Sequence, residues 1–102
     1  MTAHHKKADE KLVQALMSFR TEEECRAFLE DLCTIKELQD MIQRFDTAIL
    51  LSQGKNYQEI SAQVGISTAT ISRINRCIQY GSGGYRDVIE KVSAKEAADS
   101  AE

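Results

Sequence analysis

The stretch YQEISAQVGISTATISRINR, Tyr57 to Arg76, constrains the fold more tightly than anything else in the chain. Its apolar residues, Ile60, Val64, Ile66, Ile71 and Ile74, continue to Ile78 at helical spacing and are interrupted once, around Gly65. Such a pattern predicts two short helices joined by a tight turn, because a glycine without a Cβ takes the positive φ that the turn needs. The residues between the isoleucines are small and polar rather than charged. Ser61 lets the two helices approach, and Ser67 is placed to cap the second one.

The rest of the chain reads as helical too. Its 102 residues contain no proline and five glycines, and no alternating apolar–polar run is long enough for a strand, so the predicted class is all-α. A first helix is expected from about Asp9 to Phe19, with Leu12, Val13, Leu16 and Phe19 on one face. The sequence TEEE then offers a capping box, Thr21 with Glu24, opening a helix with Cys25, Phe28, Leu29 and Leu32 inward. The device recurs at Thr34 and Glu37, opening a longer helix that carries Ile35, Leu38, Met41, Ile42, Phe45, Ile49 and Leu50 and stops at Gly54. Asn56 and Glu59 start the first helix of the opening motif. GSGG at residues 81–84 ends its second helix, and a short last helix is expected over about Tyr85 to Val92. The expected organisation is a flexible tail over 1–8, one helical domain over 9–92 with its helix-turn-helix at about 57–80, and a second flexible tail over 93–102.

Charge distribution says more than its sum. The net charge is -3, which by itself speaks against a polyanion partner. Yet residues 1–46 hold ten carboxylates, whereas Ile60 to Arg86 contain none and carry Arg73, Arg76 and Arg86. A segment cleared of acids in a chain of 28% charged residues favours contact with a polyanion. A helix lying in the major groove must bond base edges and phosphates without repelling them. Thr68, Thr70, Ser72, Arg73, Asn75 and Arg76 suit that task, and Ser67 at the mouth of the helix is counted with them.

Other chemistries find little support. Three cysteines, Cys25, Cys33 and Cys77, have no ligand spacing and read as reduced thiols. His4 and His5 lie in a polar tail and suggest no metal. No phosphate-binding glycine loop and no nucleophile with a neighbouring base is present, so neither enzyme activity nor a cofactor is expected. No apolar run reaches the length of a membrane span, and the N-terminus lacks the apolar core of a signal peptide, so a cytoplasmic location is expected.

From Thr21 to about Val92, and above all in DLCTIKELQDMIQRFDTAILL followed by ATISR at residues 69–73, the chain resembles the TrpR-like YerC/YecD family and, more distantly, the tryptophan repressor, which has Ala-Thr-Ile-Thr-Arg at the matching place. The resemblance implies an intertwined homodimer whose two helix-turn-helix heads read a palindromic operator in double-stranded DNA. By position, Gln58 would touch phosphate, and Thr68, Ala69, Thr70 and Ser72 would face the groove. Arg44 and Arg73 match the arginines on either side of the repressor's tryptophan, with Thr34 at the pocket rim. Ile74 stands where the repressor has glycine and Cys77 where it has serine. Tryptophan is therefore not expected as corepressor, and the pocket is expected to be pre-filled by Ile74. The leading expectation is a dimeric transcription regulator, a repressor acting by operator occupancy. The competing one is a protein-interaction module that keeps the fold without binding an operator.

Overall fold

The computed structural model describes residues 8–101. Those residues form six helices and no strand: α1 (Glu10–Leu16), α2 (Glu22–Leu32), α3 (Ile35–Ser52), α4 (Tyr57–Val64), α5 (Thr68–Tyr80) and α6 (Gly84–Ala101). Nearly all of the expected N-terminal tail, with His4 and His5, lies outside the described residues. No helix among them is long and apolar enough to cross a membrane.

Short-range hydrogen bonds start these helices where the sequence predicts. Thr21 Oγ1 accepts from the Glu24 amide at 3.1 Å, and Glu24 Oε2 accepts in return from the amides of Thr21 (3.3 Å) and Arg20 (2.7 Å). At α3 the Glu37 amide donates to Thr34 Oγ1 at 3.1 Å, and the Thr34 amide donates to Glu37 Oε1 at 2.9 Å. Each box satisfies amides that the first helical turn would otherwise leave unpaired. The end of α3 is a Schellman motif: the Gly54 amide donates to the Leu51 carbonyl and the Lys55 amide to the Leu50 carbonyl, with Gly54 in the left-handed region.

The described residues fall into two compact units, 8–38 and 39–101. The boundary lies within α3. In the first unit no side chain is buried. Phe19 and Phe28 meet with ring centroids 5.6 Å apart, and Cys25 and Leu29 are half-buried, but Leu12, Val13, Leu16, Met17, Leu32 and Ile35 are exposed, Met17 and Ile35 to 80%. Helix α1 is also shorter than expected, since it ends at Leu16 instead of reaching Phe19. Ser18 Oγ donates back to the Ala15 carbonyl at 2.7 Å, a local bond that competes with continuation of the helix.

The second unit has a core. Ala48 of α3, Ile74 of α5 and Ile89 of α6 pack together, bordered by Phe45, Ile49, Leu51, Ile66, Ile78 and Tyr85, while Ile60 and Ile71 are fully buried. Burial of each isoleucine contributes about 1.5–3 kcal/mol relative to leaving it in water. Helix α4 packs on α5, and α5 on α6. Between α4 and α5, Gly65 has φ 83, its amide donates to the Ser61 carbonyl at 2.9 Å, and Ser61 Oγ donates to the Ile66 carbonyl at 2.7 Å. Ser61 thus closes the turn with its hydroxyl as well as making room by its size. Gln43 Nε2 reaches the Val64 carbonyl at 3.5 Å and ties α3 to the same turn.

Helix α6 corrects the reading of the C-terminus. It begins at Gly84 and runs to Ala101, so most of the segment read as a flexible tail, residues 93–102, is helical rather than following a helix that ends at Val92. SAKEAADSA contains strong helix formers and neither glycine nor proline, so nothing stops the hydrogen-bond ladder. Residues 93–100 are all exposed, and their helix gains nothing from packing.

Candidate nucleic-acid interface

Helix α5 is built from the turn outward. Asn56 Oδ1 accepts from the Glu59 amide at 2.9 Å and opens α4; Ser67 Oγ accepts from the Thr70 amide at 3.2 Å and opens α5. Both caps leave short polar side chains at a helix start, where positive dipole ends and spare amides face solvent. Gln58 sits exposed in the first turn of α4, and Thr68 and Ala69 are exposed in the first turn of α5.

Along α5 the side chains divide by the 3.6-residue period into a buried face, an outer stripe and two shoulders. Ile71 and Ile74 are buried and Ile78 half-buried, and they hold the helix to the core. Ala69, Arg73, Arg76 and Tyr80, spaced i, i+4, i+7, i+11, form the outermost stripe, and all four are exposed. On one shoulder, Ser67, Thr70, Arg73 and Cys77 turn toward a groove shared with α3 and α6; on the other are Thr68, Ser72, Asn75 and Gln79. Ser72, Asn75 and Thr70 are half-buried, so the expected reading set is not one surface but two shoulders around a basic ridge. Neither Arg73 nor Arg76 has an ion-pair partner among the described residues.

The groove measures about 680 Å³ and is lined by Asp40, Gln43 and Arg44 of α3, by Ile66, Ser67, Thr70, Arg73, Ile74 and Cys77, and by Tyr85 of α6. Four of the five expected effector-pocket residues therefore meet there: Arg44, Arg73, Ile74 and Cys77. Thr34 belongs to the first unit, where its hydroxyl caps α3. Ile74 is a core residue, 5% exposed, but the expectation that it leaves the pocket pre-filled is corrected by an open groove beside it. Its side chain packs with Ala48 and Ile89 and at the same time forms part of the groove's wall. Sequence reasoning missed Asp40, Gln43 and Tyr85. The spacing of Asp40, Gln43 and Arg44 puts them on one face of α3, a signal present in the sequence, whereas Tyr85 reaches the groove only through the packing of α6 on α5.

Six helices and no strand among the described residues, with α4 and α5 joined by a tight turn at Gly65, are the architecture of the Trp repressor class. The model of the Trp repressor protein family matches residues 7–93, and the chain belongs to that family. It is 40% identical over 91 residues to the uncharacterized protein YerC of Bacillus subtilis (strain 168), an alignment covering 89% of this chain and 88% of YerC. The crystal structure of a TrpR-like protein from Eubacterium eligens ATCC 27750 superposes with a TM-score of 0.81 at 42% identity, covering 85% of this chain and 90% of the other. That of a candidate Trp repressor from Staphylococcus aureus gives 0.82 at 34% identity, covering 91% and 96%. The chain is thus a TrpR-like relative of YerC with a Trp repressor fold.

Proposed function

We propose that the protein is a homodimeric transcription regulator that binds a palindromic operator in double-stranded DNA through α4 and α5, a repressor acting by occupancy. The observation carrying this reading is the outer stripe of α5: Arg73 and Arg76 stand exposed and without ion-pair partners, in a segment that has no carboxylate from Ile60 to Arg86. On an ordinary solvated helix, charges of both signs would be interspersed, and a phosphate backbone would be repelled by half of them. Thr68, Ala69 and Ser72 supply small groups for base edges, and Gln58 a donor for phosphate.

Dimerisation is supported by the first unit, in which no described side chain is buried and six large apolar ones are exposed. Two heads related by a two-fold axis would meet half-sites roughly 34–36 Å apart. Tryptophan is not the effector in this reading, because Ile74 walls the groove where the repressor has glycine. The open groove leaves room for a differently shaped small molecule near Arg44 and Arg73. Selection of bound sequences from a random duplex pool tests the reading: enrichment of a palindrome supports it. Failure to retain any duplex at low salt favours the protein-interaction module instead.

A further inference from the structure

The outer stripe of α5 does not end with its arginines. Tyr80 is its fourth member, one turn beyond Arg76, and it is 81% exposed. A tyrosine usually buries its ring, yet this one has no hydrogen-bond, ring or ion partner among the described residues. The helix ends directly behind it, at Gly81.

Helix length says what Tyr80 meets, on the reading that α5 enters a DNA groove. Its 13 residues rise about 20 Å at ~1.5 Å each, whereas the major groove is about 12 Å wide. With the first turn at the base edges, the last turn lies beyond the groove floor, at the sugar–phosphate wall. The stretch from Ile60 to Arg86, which holds Tyr80, carries no carboxylate of its own to oppose an anion. We propose that Tyr80 is the outer anchor of the interface: its phenol hydroxyl donates to a phosphate oxygen on the groove wall, beside the phosphate neutralised by Arg76. The occupant of this end of the stripe is the DNA backbone, not a second copy of the chain.

A neutral donor and a cation leave different signatures in salt. Loss of an arginine contact lowers the slope of log affinity against log salt by about 0.9, while loss of a neutral hydrogen bond lowers affinity and leaves the slope alone. The test titrates the full chain with a duplex of random sequence across a salt series. Tyr80→Phe, which removes only the hydroxyl, is expected to weaken binding roughly threefold to tenfold at unchanged slope, the size of one net hydrogen bond. Tyr80→Ala should weaken it at least as much, and Arg76→Ala should reduce the slope. Tyr80 is exposed, so its replacement removes no core packing, and circular dichroism checks that the fold is kept. Wild-type affinity in Tyr80→Phe and Tyr80→Ala, with Arg76→Ala impaired, overturns the proposal while leaving α5 as the reader. A change in particle mass by light scattering in either tyrosine variant overturns it by placing Tyr80 between copies. If the wild-type chain shows no salt-dependent binding at all, the DNA-binding reading itself falls, and this proposal with it.

Discussion

The hydroxyl oxygens of Ser67 and Thr70 lie 3.0 Å apart, and the Thr70 amide donates to Ser67 Oγ at 3.2 Å. The cap of α5 and one of its expected base readers are thus a single hydrogen-bonded pair. Ser67→Ala should cost about 1 kcal/mol of stability through the lost cap, seen as a lowered urea midpoint. Thr70→Ala keeps the amide bond to Ser67 and should instead relax base preference by about 1 kcal/mol, measured on a panel of single-base variants of the selected site. Equal discrimination by Thr70→Ala and wild type would remove Thr70 from the reading set.

Arg76 stands on the outermost stripe of α5 with no ion-pair partner among the described residues. Its replacement by alanine should weaken binding to all sequences alike and lower the salt slope by about 0.9, as release of one fewer counterion requires. An unchanged slope would mean that Arg76 faces solvent in the complex.

In the first unit, Leu12, Val13, Leu16, Met17, Leu32 and Ile35 are exposed and no side chain is buried. Helices this short do not persist in water without a covered face, so the chain should be an obligate dimer. Light scattering at micromolar concentration should return twice the chain mass. A stable folded monomer would contradict the expectation.

Thr47 is fully buried, and its Oγ1 has no hydrogen-bond partner among the described residues. An unsatisfied buried hydroxyl carries a desolvation cost of about 1–3 kcal/mol. Thr47→Val keeps the branched shape and removes that oxygen, so it should raise stability by about 1 kcal/mol. Thr47→Ser keeps the oxygen, loses a methyl group and should lower it. Chemical denaturation distinguishes the two, and a destabilised valine variant would show that Oγ1 has a partner in solution.

Calorimetric titration with L-tryptophan should show no saturable binding at sub-millimolar affinity. Ile74 is β-branched, restricted in rotamer on a helix and held by Ala48 and Ile89, so it cannot easily withdraw to admit a flat ring beside Arg73. The groove is open, and the experiment therefore bears on shape alone: tight binding, with tryptophan-dependent operator affinity, would show that its volume suffices.

What the sequence by itself determined is everything that depends on neighbours a few residues apart. The capping pairs Thr21–Glu24 and Thr34–Glu37, the caps at Asn56 and Ser67, and the turns at Gly54 and Gly65 are all governed by bonds spanning three to five residues, and each forms where the residue types predict. The isoleucine period of the helix-turn-helix is legible for the same reason, since one helix face is one spacing rule. The end of α6 was misread because composition distinguishes helix formers from breakers, not a packed helix from a solvated one. Only the tertiary structure decided which polar residues of α5 face outward and which face the groove. Asp40, Gln43 and Tyr85 join Arg73 there because α3 and α6 pack around α5, and the direction of Ile74 follows from its contact with Ile89 on a helix that the local sequence does not contain. Spacing assigns a side chain to a face; the partner that face meets comes from the packing of distant segments.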